Sequence, residues 1–260
     1  MTNYNPKILI LNPDTLIGES YYNESELHFA RTVLCDVTKK YCDKWGYDYI
    51  RDTEIIENIN EVKGNNRSGW TLSTCNKVLQ VQKHLPNYDY VCVIDTYDVL
   101  ITNMNKPLTD FIDEDYSFFI GEDVYHPETP KFMERINSGW IIFKNDEVSH
   151  MILKNYVDCL YELDYGYDDY NDQNLLLCSV NKLTNEQKSK INHADKIKQS
   201  YWIYNTPSEF EIGNGDYSRM ETLIKSKYLW KPGDFMIHMC GHINRMQLLE
   251  KFYNTIYGTN

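Results

Sequence analysis

Tyr90-Val91-Cys92-Val93-Ile94-Asp95-Thr96-Tyr97-Asp98-Val99-Leu100 is an apolar run that stops abruptly at two carboxylates. An uninterrupted apolar stretch bounded by polar residues predicts a strand buried on both faces, and open α/β sheets bind ligands beyond the carboxyl ends of such strands. Asp95 and Asp98 stand where a site belongs. Brought together across a turn, like charges must protonate, separate or share a cation. A hard divalent metal resolves that conflict and, if it also holds a diphosphate, neutralises charge on a leaving group. The same spelling also suits a solvated turn, because Asp is common in turns.

Three further segments extend the pattern. Asn137-Ser138-Gly139 precedes Trp140-Ile141-Ile142-Phe143 and predicts a donor-rich turn feeding a second buried strand. Tyr170-Asn171-Asp172-Gln173-Asn174 opens onto Leu175-Leu176-Leu177, so Asn171 reads as an N-cap with Asp172 in the first turn. On its own spacing Asp172 is a helix-dipole partner, worth about 0.3 to 1 kcal/mol. Phe235-Met236-Ile237-His238-Met239-Cys240-Gly241-His242 is a short strand delivering His238, as a structural side chain or a ligand. Gly241 either lets the backbone approach phosphates closely or is an ordinary turn glycine.

Around these segments the pattern is that of an α/β protein. Lys7 to Leu11 is a first strand. Leu27, Ala30, Val33, Leu34, Val37, Tyr41 and Trp45 recur at helical spacing until Gly46 offers a C-cap, and Tyr47 to Ile50 resumes as strand. No G-x-G-x-x-G or Walker lysine loop accompanies this β-α-β opening. Residues 52 to 69 are polar, with Gly64-Asn65-Asn66 a loop. Ser73 to Leu85 is a helix carrying Lys77, which lies near the acid pair or stands as a solvated lysine. Phe118-Phe119-Ile120 is a strand, and Gly121 to Pro127 a loop placed for an acceptor. Val148 to Leu160 is a helix. The aromatic and acidic tract from Tyr161 to Tyr170 is either an exposed loop or a sugar-facing rim, and Tyr201-Trp202-Ile203-Tyr204 either core strand or aromatic platform.

At 260 residues, with no Pro/Gly/Ser-rich linker, the chain is expected to form one domain. A net charge of −12 argues against a nucleic-acid partner, since polyanion binding needs clustered Lys and Arg. A nucleotide held through a metal stays compatible with that charge, because the cation inverts the local sign. The N-terminus Met1-Thr2-Asn3-Tyr4-Asn5-Pro6 is polar and no run approaches the ~20 apolar residues of a membrane span, so a soluble, cytoplasmic protein is expected. Seven cysteines, at 35, 42, 75, 92, 159, 178 and 240, fall mostly in apolar runs without C-x-x-C spacing, which fits reduced, buried thiols.

Taken in order, the acid pair, the Asn-Ser-Gly strand, the Asp-Gln helix start and the late His-x-x-Gly resemble metal-dependent GT-A glycosyltransferases over about residues 7 to 245. The likeness is nearest to the retaining galactosyl- and xylosyltransferases of fungal mannan and plant xyloglucan. The Asp95-Thr96-Tyr97-Asp98 spelling is similar to the glycosyltransferase domain of procollagen lysyl hydroxylases. The resemblance implies a GT-A, Rossmann-like single domain with a mixed central sheet flanked by helices, a nucleotide-binding half at about residues 1–105 and an acceptor half at 106–260. It implies that Asp95 and Asp98 face the metal with His238 as a further ligand. Tyr97 would lie against the base, Asn137, Ser138 and Gly139 beside the donor sugar, Gly241 near the phosphates, and Asp172 and Gln173 near the reacting carbon, Asp172 stabilising or attacking the sugar cation and Gln173 supplying a hydrogen bond to the transferring face. Where those enzymes carry a cysteine and then a lysine after the last glycine, this chain has His242 and Ile243. The basic grip on the diphosphate falls to Arg245 or Lys77.

Carboxylate, imidazole and phosphate donors together favour Mn²⁺, with Mg²⁺ the second choice. The activity implied is transfer of a sugar from a UDP-sugar to a hydroxyl of a glycan or glycoprotein, with retention, through an oxocarbenium-like centre. A silent nucleotide-sugar or glycan-binding module of the same fold is the alternative, motivated by Ile243. A metal phosphohydrolase fits less well, since its acid motif is more tightly spaced and follows the first strand.

Overall fold

A computed structural model describes residues 5–16, 22–56, 69–122, 136–162, 172–193, 230–239 and 245–258. The chain opens with β1 (Ile8–Pro13), buried along its whole length. Asn23 starts α1 (Glu24–Phe29) with a capping box, its side chain accepting from the Glu26 N–H while the Glu26 carboxylate accepts from the Asn23 N–H. The helix continues through a π-helical turn, Ala30–Leu34, into α2 (Cys35–Trp45), and Gly46 ends it at φ 73°, the left-handed conformation that favours glycine. The expected helix and its stop are both present. The π turn, closed by the Cys35 N–H donating to Ala30 O, has no counterpart in the apolar spacing.

The remaining elements are β2 (Asp48–Asp52), α3 (Gly69–His84), β3 (Tyr90–Ile94), β4 (Val99–Ile101), β5 (Phe118–Glu122), β6 (Ile136–Lys144), α4 (Glu147–Glu162), α5 (Asp172–Asn181), α6 (Asn185–Lys188), β7 (Ile191–His193), β8 (Met236–His238) and α7 (Arg245–Tyr257). Six strands form one sheet in the order β2-β1-β3-β6-β5-β7, and β4 pairs with β8 in a second. The β2-β1-β3 side is parallel, and β6 runs antiparallel to both its neighbours. Its continuous apolar strands are explained by two cores. Ile8, Ile10, Cys92 and Ile94 point to one that includes α2, β4, β8 and α7, while Leu9, Leu11, Val91 and Val93 point to another under α3, α4 and α5. Each such fully buried aliphatic side chain contributes about 1.5–3 kcal/mol.

Two expectations need correction. Asn137-Ser138-Gly139 is not a turn before a strand but part of β6, all three residues buried. The β5–β6 register shifts between Ile120 and Gly121, so that Gly121 faces Asn137, and the Asn137 side chain accepts from the Gly139 N–H at 2.9 Å. Side-chain polarity satisfies the backbone where the ladder is irregular, and a sequence rich in turn residues stays extended. Gly121 and Glu122 likewise belong to β5 and not to a loop, paired with Asn137 and Ile136. The expected loops at 64–66 and 123–127, the tract from 163 to 170, Asn171, the strand at 201–204 and residues 240–243 lie outside the described residues. Among the described residues no helix is long and apolar enough to cross a membrane.

Candidate functional site

The acid turn leaves β3 and re-enters the fold as β4, and the antiparallel partner of β4 is β8. In that ladder Val99 faces His238, so the residue beside Asp98 is opposite the late histidine. The Met239 N–H donates to Asp98 O at 2.7 Å, and the Asp95 N–H donates to Gly139 O at 2.9 Å, fixing the turn against β8 and β6 together. One ligand atom each from Asp95, Asp98 and His238 then lie within 4.8 Å of one another. His238 Nε2 is 3.5 Å from Asp98 Oδ1, and Arg245 at the head of α7 is 3.6 Å from Asp98 Oδ2. Asp98 Oδ1 is buried and accepts no well-formed hydrogen bond among the described residues. Two carboxylates and an imidazole around a buried acceptor of this kind fit a divalent metal ion.

Gly139 explains how the imidazole gets there. A Cβ on this residue would stand 2.2 Å from His238 Cε1 and 2.5 Å from Nε2, so the ring lies close against bare backbone. The glycine is a space requirement of the histidine.

Lys77 is buried and bridges two acids, its Nζ 2.8 Å from Asp95 Oδ1 and 2.7 Å from Asp172 Oδ2. It also donates to Ser138 O at 3.2 Å, and Ser138 Oγ donates to Asp172 Oδ2 at 2.5 Å. The solvated reading of Lys77 is therefore wrong: α3 packs directly over the strand ends, and burial of the stem is compensated by two carboxylates. Burial pulls the Lys77 ammonium down, but Asp172 and then Asp95 outweigh it and hold it above its usual value. Burial pushes the Asp95 carboxyl up, to about 6, against Lys77. At Asp98, burial also pushes upward, but His238, Arg245 and Lys77 prevail and hold it below the usual carboxylate range. Gln173 reaches the same strand, its Oε1 accepting from the Ser138 N–H at 3.3 Å.

Tyr97 points the other way, along the open cleft that Thr15, Tyr22, Lys77, Asp95 and Arg245 also line. Its hydroxyl donates to the Asp14 carboxylate, and its ring stacks on Tyr22 at 4.9 Å and 23°. The Arg245 guanidinium sits 4.7 Å above the Tyr22 ring. Arg31, from the π turn, grips Asp14 through Nε and Nη2 at 3.0–3.2 Å. Sequence reading missed Asp14, Arg31 and Tyr22. For Asp14 a signal existed, since it follows β1 as Asp95 follows β3.

Lys77, Asp95, Tyr97, Asp98 and Arg245 line the cleft and His238 joins the two acids; Ser138, Gly139 and Asp172 touch Lys77 or His238, and Gln173 and Asn137 reach them through the β6 backbone, while Gly241 lies outside the described residues.

The mixed sheet with β6 reversed, its flanking helices and the small β4–β8 sheet make this a GT-A-type glycosyltransferase fold. A glycosyltransferase involved in the glycosylation of the major capsid of PBCV-1 shares it with a TM-score of 0.55 and 17% identity, over 95% of this chain and 100% of that one. Mouse xyloside xylosyltransferase 1, in its apo form, shares it with a TM-score of 0.50 and 11% identity, over 90% of this chain and 97% of that one. At such identities the likeness establishes the fold alone. No protein-family model matches the sequence, and a search of curated proteins finds no match.

Proposed function

We propose that this protein is a glycosyltransferase that moves a hexose or pentose from a UDP-sugar to a hydroxyl of a glycan or glycoprotein, with Mn²⁺, or Mg²⁺ in its place, and with retention of configuration. The observation that carries the reading is the meeting of Asp95, Asp98 and His238 at the carboxyl end of the central strand, in a fold shared with glycosyltransferases. An ion held by those three residues would supply Lewis-acid neutralisation of a departing diphosphate. The half up to about residue 105 carries most of the nucleotide side, and the half from about 106 forms the acceptor side while lending His238 and Arg245 to the metal and diphosphate.

The chain's own residues divide the rest of the work. Tyr97 and Tyr22 form the aromatic end of the cleft, against which a nucleobase stacks. Arg245 is the basic group facing the diphosphate, since Lys77 is committed to Asp95 and Asp172. Asp172 holds negative charge beside the sugar, and with Lys77 and Ser138 both on its Oδ2 it stabilises a cationic carbon better than it attacks one. Gln173, anchored to the β6 backbone, is positioned to donate through its amide to the transferring face.

The test is UDP release from a panel of UDP-sugars with Mn²⁺ and varied acceptors, with Asp98→Ala as control. Turnover abolished by that substitution is expected. Tight metal-dependent UDP binding without turnover on any donor would instead identify a binding module. Proton NMR of the first-formed product reads the stereochemistry, and an inverted anomeric centre would overturn retention.

A further inference from the structure

Away from the cleft, α4 and α5 pack side by side, and the contact is fixed by polar bonds. The Asn155 side chain donates to Ser179 O at 3.2 Å, and Ser179 Oγ donates to Ile152 O. One turn further along the same face of α4, Cys159 meets Cys178 of α5, with Sγ atoms 2.7 Å apart. Neither sulfur takes part in the site described above. Among the described residues, Cys35, Cys42, Cys75, Cys92 and Cys159 are buried, and Cys178 is the thiol that is partly exposed.

We propose that Cys159 and Cys178 form a reversible dithiol–disulfide site, oxidised by low-molecular-weight disulfides of the glutathione class, that cross-links α4 to α5. Cys178 is the entry sulfur, because a bulky disulfide can reach it, and Cys159 is the resolving one. Cys178 loses its proton and attacks one sulfur of oxidised glutathione. That S–S bond breaks and one glutathione leaves, taking up a proton. Cys159 then loses its proton and attacks Cys178 Sγ in the mixed disulfide, forming the protein disulfide and releasing a second glutathione. Two protein thiols are thereby oxidised by two electrons, and one glutathione disulfide is reduced to two thiols. Excess reduced glutathione runs the sequence backwards.

Proximity makes the second step fast, since the resolving sulfur is already in contact and needs no loop closure. Burial and then Cys178 push the Cys159 thiol up to about 12, and the Lys182 ammonium opposes them by favouring the thiolate. The ring closed by the bond runs from 159 to 178 and contains Asp172 and Gln173, so oxidation tethers the start of α5 from both sides.

The experiment treats the folded chain with excess oxidised glutathione, alkylates the remaining thiols and digests with trypsin. No Lys or Arg occurs between Lys154 and Lys182, so peptide 155–182 carries both cysteines and no others. The expected product is that peptide without alkyl groups and lighter by two hydrogens, the other thiols alkylated, and a rise in Tm of about 5 to 10 °C that dithiothreitol reverses. In Cys178→Ser, Cys159 should stay reduced and take no glutathione. Recovery of peptide 155–182 with both cysteines alkylated, or with a lasting glutathione adduct on Cys178, would overturn the proposal. Glutathione on Cys159 in the Ser variant would overturn the assignment of Cys178 as entry thiol.

Discussion

Gly139→Ala is the sharpest probe of how the site is built. The added methyl would meet His238 Cε1, Nε2 and Nδ1 at 2.2, 2.5 and 2.9 Å, distances that real Cβ contacts do not reach. To restore van der Waals contact the imidazole must retreat by about 1.3 Å or more. The ring is 1% exposed and walled in, so the retreat strains its neighbours. Overpacking of this kind costs about 1–3 kcal/mol. Metal ligands tolerate displacements of only about 0.2 Å, so Mn²⁺ affinity should fall by about 10-fold or more. Urea denaturation reads the first effect and calorimetric titration of Mn²⁺ the second. A double-mutant cycle isolates the cause: all three nearest atoms belong to His238, so in a His238→Ala background the cost of the alanine should nearly vanish, giving a coupling of about 1–3 kcal/mol. Unchanged stability and Mn²⁺ affinity in Gly139→Ala, or a cost that persists without the imidazole, would refute this account.

Other perturbations follow from the same geometry. Lys77→Met leaves Asp95 and Asp172 uncompensated beside each other and should destabilise the fold by about 3–5 kcal/mol in urea titration; added Mn²⁺ should recover part of that loss through Asp95, and full stability without metal would contradict it. Asp98→Asn should weaken Mn²⁺ binding by at least about 10-fold, as measured by paramagnetic resonance of the unbound ion. At Asp52, burial pushes the carboxyl up, but His84, the Glu54 N–H and Lys83 outweigh it and hold it below its usual value. A depressed carboxylate contributes stability that is fully present above its unfolded value of about 4 and is lost as pH falls through the folded one. The stability gap between wild type and Asp52→Asn should therefore be widest near neutrality and close under acid; a gap independent of pH would exclude this role.

How much of this was legible depends on where each signal resides. The run from Tyr90 to Ile94 identifies a doubly buried strand by itself, and the acids after it mark a site, because both facts are local. The meeting of His238 with Asp98 is not local: it depends on β4 pairing with β8 across well over a hundred intervening residues, and only the order of motifs suggested it. Asn137-Ser138-Gly139 misled because its composition is that of a turn. In the fold each residue is polar or small for a tertiary reason: Asn137 satisfies a bulged backbone, Ser138 binds Asp172, and Gly139 admits a ring. Lys77 was undecided because helical periodicity reports which face is apolar, and α3 buries a charged residue on a face that meets two carboxylates. Asp14 was overlooked although it repeats the logic of Asp95, its partners Arg31 and Arg51 arriving from elements whose packing the sequence does not reveal.

The π-helical turn at Ala30–Leu34 holds one residue more than an α-helix needs between α1 and α2. Deleting a single position there would let the coil regularise with both flanks keeping nearly their present directions, whereas regularising with the extra residue kept would swivel everything upstream by about 100° about the helix axis. In that second case Phe29, which meets Tyr253 edge-on, would turn away from α7 while Cys35 onward stayed seated. The wide turn thus absorbs one residue of length while α1 and α2 each keep their own seat, and loss of that one residue is the length change this helix accommodates most easily.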